Sequence, residues 1–181
     1  PLIEDPGGAV IAVWEPSCLS AFKDDWLSLK IPRPRELRER LASKAMLVEE
    51  FLEARWESHP RKVELRGAGE GEPILLHAHC HQKALWGAQR SAGLLKRIAG
   101  ERVKVLDTGC CGMAGSFGYA AHRYELAMQI GELTLFPAIR DAGSCTVAAT
   151  GTSCRHQVKD GLGVAAKHPV EVAAELLLPR G

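Results

Sequence analysis

The chain has 181 residues, 23 Lys and Arg against 22 Asp and Glu, and a formal net charge of +1. This length suits one ordinary domain, or two small ones, with a real hydrophobic core. The near-zero charge argues against a nucleic-acid partner held by bulk electrostatics, and a hydrophobic content of 46% argues against disorder. No apolar run approaches the roughly 20 residues that span a bilayer.

The start of the chain and its cysteine content predict a reducing compartment. The sequence begins at Pro1 without Met, and no basic segment followed by an apolar stretch is visible. We therefore expect a piece of a longer polypeptide located in the cytoplasm. Six cysteines in a chain of this length are too few for a disulfide scaffold. In a reducing compartment they are more typical of metal ligands, catalytic groups or buried apolar residues.

Short apolar runs alternate with helical patterns along the chain. The runs at 9–14, 73–79, 103–107 and 145–150 are rich in Val, Ile, Leu or Ala and predict buried strands. Helices are predicted at 19–29, 35–42, 44–56, 82–98, 120–142 (with a break near Pro137) and 168–178. This alternation predicts an α/β fold, a mostly parallel sheet of βα units flanked by helices.

An internal repeat suggests two units. Residues 9–18 read AVIAVWEPSC and residues 145–154 read CTVAATGTSC, so each apolar strand is followed by a small polar turn and Ser-Cys. Residues 63–66 are a candidate edge strand, and the GAGEGE segment at 67–72 is the best candidate for a linker. We place the boundary between the two units there.

Cysteines follow all four predicted strands. They are Cys18, Cys80, Cys110, Cys111 and Cys154. Parallel strands bring their carboxyl ends to one edge of a sheet, where ligands bind, so we expect these thiols to converge. A single cysteine at a strand end is usually a small buried apolar residue, but five at four strand ends favour a site. Cys145 opens its strand at the opposite edge, and there we favour the role of a buried apolar residue.

The adjacent pair Cys110 and Cys111 favours a multi-metal centre. Neighbouring thiolates do not easily bind one tetrahedral ion, whereas in an iron–sulfur cluster each can bind a different iron. Glycines that let the backbone approach a cofactor surround the pair, at Gly109, Gly112, Gly115 and Gly118. A dinucleotide-binding loop is the alternative, but the spacing is G-x-x-G-x-x-G and no acidic residue ends the next strand.

Three histidines flank Cys80 in the segment HAHCHQ. If this segment continues the strand, His77, His79 and His81 share one face and Cys80 lies on the other. The simple interpretation is polar residues bonded to the backbone at a strand end. The alternative is that a histidine adjusts the properties of a bound metal or even ligates it. We favour adjustment from outside the ligand set, with His81 beside the cofactor. His156, two residues after Cys154, is interpreted in the same way.

Three motifs carry a resemblance to a known family. The segments HAHCHQKAL, DTGCCGMAGSFGY and GTSCRHQ resemble the cysteine-rich CCG domain. That domain occurs in the iron–sulfur subunit of glycolate oxidase, in anaerobic glycerol-3-phosphate dehydrogenase, in lactate-utilisation proteins and in heterodisulfide reductase. GCCGMAGSFGY with IGELTLFPAIR is most similar to the C-terminal region of fused FAD-linked oxidases of the D-2-hydroxyglutarate dehydrogenase type. The resemblance implies that 1–66 is the tail of a first CCG copy and 67–181 a second copy.

The resemblance also implies the ligand set. Cys80, Cys110, Cys111 and Cys154 would hold one [4Fe–4S] cluster, with Cys18 as a fifth ligand from the neighbouring copy. The family usually has Cys-x-x-Cys where this chain has Glu15-Pro-Ser-Cys18 and Gly151-Thr-Ser-Cys154. The first cysteine is therefore missing from both copies, which argues against a five-thiolate double cluster.

The implied function is electron transfer. FAD would lie in the parent protein and not in this chain, and the chain would relay electrons from a flavin domain or subunit and a ferredoxin-like segment to a quinone or carrier protein. The parent would be cytoplasmic, or attached to the inner membrane through its partners. Two alternatives stay open: a zinc-binding or metal-free domain that docks partners, and a centre that reduces disulfides.

Overall fold

The computed structural model describes residues 9–60 and 71–177. The first of these ranges contains a two-stranded parallel sheet, in which β1 (Ile11–Val13) pairs with β2 (Ala45–Leu47). Between the strands lie α1 (Pro16–Ser20), a π-helical turn (Ala21–Asp25), α2 (Trp26–Ser28) and α3 (Arg35–Lys44). Helix α4 (Val48–Arg55) follows β2 directly.

The second range contains a three-stranded parallel sheet. Strand β3 (Ile74–His77) lies between β4 (Val103–Val105) and β5 (Thr146–Ala149), and Ile74 is in register with both Val103 and Thr146. The helices are α5 (Cys80–Leu85), α6 (Gln89–Ala99), α7 (Tyr124–Leu133), α8 (Leu135–Asp141), α9 (Thr152–Leu162) and α10 (Pro169–Leu176). Parallel strands joined through helices confirm the predicted α/β class.

Helices cover both faces of the second sheet. Ile74 and Leu76 of β3 contact a core cluster shared with α6 and α10. Leu75 points to the other face, into a cluster shared with α8 and α9. Every residue of β3 is buried, and burying each large aliphatic side chain contributes about 1.5–3 kcal/mol. This is why the strand sequence is apolar throughout and does not alternate.

Three helix predictions were wrong in detail. Residues 45–47, predicted as helix, form β2, because Ala45 and Leu47 are buried in a cluster with β1. The predicted helix at 82–98 is interrupted at Gly87, whose φ of +82° ends α5. The break in the predicted helix at 120–142 falls at Thr134. Pro137 is the third residue of α8, where the missing backbone N–H would have no helical partner.

Part of the predicted boundary lies outside the described residues. This holds for the edge strand at 63–66 and for most of the linker at 67–72. The division into 1–66 and 67–181 stays a prediction. Within 9–60 and 71–177, none of the helices combines the length and apolar character required of a membrane span.

Candidate functional site

The second sheet delivers four cysteines to one edge, as the strand ends predicted. Cys80 begins α5 just after β3, Cys110 and Cys111 lie in the loop after β4, and Cys154 is in the first turn of α9 after β5. Strand β3 ends at His77, so the arrangement in which the three histidines share one face of a continuing strand does not form. His79 caps α5 by accepting the backbone N–H of His81 at its Nδ1, over 3.2 Å, so the chain has already turned into a helix.

The four thiols form a string in which neighbours shift one another's pKa, Cys80 with Cys110, Cys110 with Cys111, and Cys111 with Cys154. Hydrogen bonds from Cys111 and Cys80 lower the pKa of Cys110, and the Gly112 N–H adds a bond to its Sγ at 3.4 Å. The bond from Cys111 lowers the pKa of Cys154. Donating these bonds, together with burial, raises the pKa values of Cys80 and Cys111.

The other two cysteines lie apart from this string. Cys18 is exposed on α1, although its neighbour Ser17 lines the cavity beside Cys80. Its role as a fifth ligand stays a prediction. Cys145 lies at the opposite end of β5 and packs against the core cluster of that face, which agrees with the role of an apolar residue.

Histidines surround the string and are fixed by neighbours. The Nδ1 of His77 is 2.9 Å from the Thr108 hydroxyl, and the Nδ1 of His81 is 3.0 Å from that of Ser20. His79 is buried, which lowers its pKa, and its Nδ1 is 4.0 Å from the Cys80 Sγ. The Nδ1 of His156 is 2.6 Å from the hydroxyl of Tyr119, a residue that lines the cavity beside Cys80.

Two polar side chains that the sequence analysis missed hold the cysteine loop. Lys83 donates to the carbonyl oxygens of Thr108 and Gly109, the latter over 3.0 Å. The hydroxyl of Thr134, at the junction of α7 and α8, accepts the Gly109 N–H at 2.9 Å. Lys83 belongs to the motif around Cys80, but the spacing of that motif says nothing about a loop 25 residues away.

Gly112 and Gly118 serve the packing of the loop. Gly112 has a φ of +97°, and a Cβ there would collide with the Ala127 carbonyl oxygen. A Cβ on Gly118 would lie 2.7 Å from the Met113 Sδ, whereas Gly115 meets open space and lines the cavity. The loop continues into two short 3₁₀ turns before α7 begins. A dinucleotide-binding loop instead opens directly into a helix whose N-terminus holds the phosphates.

A cavity of about 570 Å³ adjoins Cys80 and is lined by residues of the turns and helices that follow strands of both sheets. Among them is Glu15, whose Oε2 accepts from the backbone N–H and the hydroxyl of Thr152 at 2.9 and 2.8 Å. Gly151 directly precedes Thr152 in the chain. A Cβ on Gly151 would lie 2.5 Å from the His79 ring and 3.3 Å from the Cys154 Sγ. Glu15 and Gly151, which stand where the resemblance would place cysteines, thus lie together at the site.

Within the part of the chain that the structure describes, no group of three or more His, Cys, Asp or Glu side chains is arranged to hold a single metal ion. The site is therefore defined by its donor type, four cysteines at one sheet edge, and by the cavity beside them.

Comparison with known proteins connects the chain to dehydrogenases. It is 32% identical to D-2-hydroxyglutarate dehydrogenase of Escherichia coli K12 over 140 residues, which is 77% of this chain and 13% of that protein. It is 29% identical to one subunit of the anaerobic glycerol-3-phosphate dehydrogenase of the same organism over 104 residues, 58% of this chain and 26% of that subunit. D-2-hydroxyglutarate dehydrogenase of Pantoea ananatis is 33% identical over 108 residues, 59% of this chain and 11% of that protein.

The match covers only a segment of each relative, at most 26% of the length of these three. No family model matches the chain, and neither does a solved structure. The fold, the cysteine-lined sheet edge and these relatives together define an oxidoreductase-related segment.

Proposed function

We propose that the chain is an iron–sulfur electron-transfer segment of a larger 2-hydroxy-acid dehydrogenase. It would receive electrons from a flavin and pass them to an acceptor. The observation that carries this proposal is the convergence of Cys80, Cys110, Cys111 and Cys154 at one sheet edge. The names of the relatives support the reaction, since D-2-hydroxyglutarate is a 2-hydroxy acid.

The donor set fits a [4Fe–4S] cluster in type and number. Such clusters are held by four cysteine thiolates, and four of the six cysteines lie at this sheet edge. Cys110 and Cys111 are adjacent in the chain, which suits a ligand set in which each thiolate binds its own iron. The lowered pKa values of Cys110 and Cys154 favour the thiolate form that binds metal. When bound, the cluster would supply storage and transfer of single electrons.

The chain's own residues would hold the centre and adjust its properties. The Gly112 N–H donates to the Cys110 sulfur, and hydrogen bonds to cluster ligands affect the reduction potential. Cys111 and Cys154 are buried, whereas Cys80 is half-exposed beside the cavity. A partner's redox group would therefore approach from the Cys80 side. The flavin domain, the ferredoxin-like segment and the quinone or carrier acceptor belong to this proposal.

Metal analysis of the anaerobically purified chain tests the proposal. We expect about four irons and four sulfides per chain, with broad visible absorption. Cys80→Ser, Cys110→Ser, Cys111→Ser and Cys154→Ser should each lose most of the iron. Cys145→Ser is the matched control and should retain it, because Cys145 lies at the opposite end of β5. The iron content of Cys18→Ser shows whether the ligand set has four cysteines or also includes Cys18 as a fifth.

Zinc alone, or no metal after attempted cluster reconstitution, would contradict the proposal. The chain would then be a zinc-binding or metal-free domain that docks partners. Turnover of a disulfide substrate by the iron-loaded chain would instead indicate a catalytic centre for disulfide reduction.

A further inference from the structure

A chain of hydrogen bonds leads from the cysteine site to a carboxyl group buried behind it. The backbone N–H of His79 donates to the Thr150 hydroxyl at 3.0 Å, which donates to the Gln82 Oε1 at 2.9 Å. The Gln82 Nε2 donates to the Ser91 hydroxyl at 2.7 Å, and that hydroxyl donates to the Glu49 Oε1 at 2.6 Å. All five side chains are buried.

The donors and acceptors of these hydrogen bonds allow only one direction of donation along the series. The His79 N–H can only donate, so the Thr150 oxygen accepts from it and directs its own proton to Gln82. The Gln82 amide nitrogen also faces the Gly87 carbonyl oxygen at 3.4 Å, which fixes the orientation of the amide. Ser91 therefore accepts from Gln82 and has one proton to give to Glu49. Every link donates toward the carboxyl group.

The Glu49 carboxyl can take up a proton at one oxygen only. Its Oε1 is an acceptor of the Ser91 hydroxyl, whereas its Oε2 is buried and meets no hydrogen-bond partner among residues 9–60 and 71–177. A buried charged oxygen without a partner is costly. Burial accordingly raises the pKa of Glu49 to about 7, although the bond from Ser91 lowers it.

Few charged groups act on Glu49. Glu50, next to it on α4, raises its pKa, and Arg155 of α9 lowers it. Strands β1 and β2, which pack against α4, carry no titratable side chain. Helices α6 and α10 also pack on α4, and their charged residues are exposed, some of them in ion pairs. They are Arg90, Lys96 and Arg97 of α6, and Glu171 and Glu175 of α10.

We propose that Glu49 is a proton-binding site linked to the redox state of the cysteine site. The proposal rests on the proposed function, in which reduced flavin supplies the electron. When one electron enters the site, one proton from water binds the Glu49 carboxylate at Oε2. The proton balances the electron, so the net buried charge does not change. The link runs through the series of hydrogen bonds, because the bonds of such a series polarise one another. Negative charge added beside His79, which already feels Cys154 and Cys110, weakens the donation that reaches Glu49 and so favours its neutral form.

The reduction potential of the iron-loaded chain, measured against pH, tests this link. In the wild type the potential should fall as the pH rises above about 7, with a slope approaching about 59 mV per tenfold fall in proton concentration. Glu49→Gln should give a flat profile. Glu50→Gln is the matched control: it removes the adjacent buried carboxyl, which is outside the hydrogen-bond chain, and should keep the wild-type slope.

A second variant tests the direction of the effect. Ser91→Ala removes the hydrogen bond that lowers the pKa of Glu49. The pH at which the reduction potential begins to fall should therefore be higher in this variant. Infrared difference spectra provide a readout that a purely structural role would not change. Reduction near pH 7 should produce the band of a protonated carboxyl group in wild type and Glu50→Gln, and not in Glu49→Gln.

The metal-free chain separates the two proposals. Carbon-13 NMR of its glutamate side chains should show one carboxyl group that titrates near pH 7 and is lost in Glu49→Gln. A loaded chain with a flat potential profile, or an ordinary Glu49 titration, overturns this inference alone. A chain that assembles no cluster overturns the proposed function, and the redox link falls with it.

Discussion

At the scale of single residues, Gly112 is the position where the cysteine loop has no room for a side chain. Its φ of +97° is a conformation that residues with a Cβ rarely adopt, and the added Cβ would meet the backbone of α7. The Ala127 carbonyl oxygen at this point already accepts a bond of 2.8 Å from Gln157. The backbone that carries Cys110 and Cys111 is therefore positioned by direct packing on α7 and α9.

We expect Gly112→Ala to destabilise the fold by about 3 kcal/mol or more, because the collision adds to the backbone strain. Gly115→Ala is the matched control. Gly115 also has a positive φ, of +65°, but a Cβ there meets open space, so a loss of about 1 kcal/mol is expected. Denaturant unfolding of both variants measures the difference, and equal losses would contradict the packing role of Gly112.

Burial of Glu49 should make the stability of the fold depend on pH, even in the chain without metal. Its pKa is about 7 in the folded chain against an ordinary value of 4.5. The folded state therefore holds the proton more tightly, and the free energy of unfolding should fall by about 3 kcal/mol as the pH rises through that window. Glu49→Gln should remove this fall, whereas Glu36→Gln, on the exposed part of α3, should keep it. Urea unfolding at both ends of the window gives the comparison.

At the scale of elements, one aromatic ring sets the spacing of three helices. Phe136 of α8 is buried, and its ring lies against Gly131 of α7 and Gly161 of α9. A Cβ on Gly131 would lie 2.6 Å from the ring, and one on Gly161 would also collide with it. These glycines allow the helices that carry the cysteine loop and Cys154 to approach each other closely.

Gly161→Ala should therefore destabilise the chain by about 1–3 kcal/mol through overpacking. In a Phe136→Leu background the same change should cost less, which a double-mutant cycle detects as an interaction energy of about 0.5–3 kcal/mol. Gly93→Ala on α6 is the control. Its Cβ would meet only the flexible Glu53 side chain at 3.3 Å, so we expect no loss and a gain of up to about 1 kcal/mol. Additive effects at 161 and 136 would refute the spacing role.

At the scale of the whole molecule, contacts join the two sheets near the cysteine edge. Glu15 binds Thr152 as described, and the Nε2 of His168 donates to the Trp14 carbonyl oxygen at 3.3 Å. Helix α4 packs on α6, and Arg97 of α6 pairs with Glu53 at 2.7 Å. The described residues are thus connected through buried as well as polar contacts.

We expect residues 9–60 and 71–177 to unfold in one transition. Tryptophan fluorescence reports mainly on the first range, which holds Trp14, Trp26 and Trp56, whereas circular dichroism reports on all helices. The two midpoints should coincide. Leu19→Ala in the first range and Leu95→Ala in the second should each shift both signals, by about 2–5 kcal/mol. Separate midpoints would instead show two independent units.

The sequence by itself determined the class of fold and the edge at which the cysteines lie. Apolar runs such as the one containing β3 are local patterns, and parallel strands place their carboxyl ends together whatever the details. That reasoning reached Cys80, Cys110, Cys111 and Cys154 without knowledge of a single contact.

Tertiary structure decided the rest, because the interactions concerned join residues far apart in the chain. Strand β2 exists only because β1 lies beside it, which helical propensity does not report. At His79, where the chain turns into a helix, the backbone N–H donates to the hydroxyl of Thr150, 71 residues away. Glu49 lies 42 residues from Ser91 and belongs to an ordinary first helical turn. Its burial, and the chain of donors that ends on it, follow from packing between helices and have no signature in the sequence.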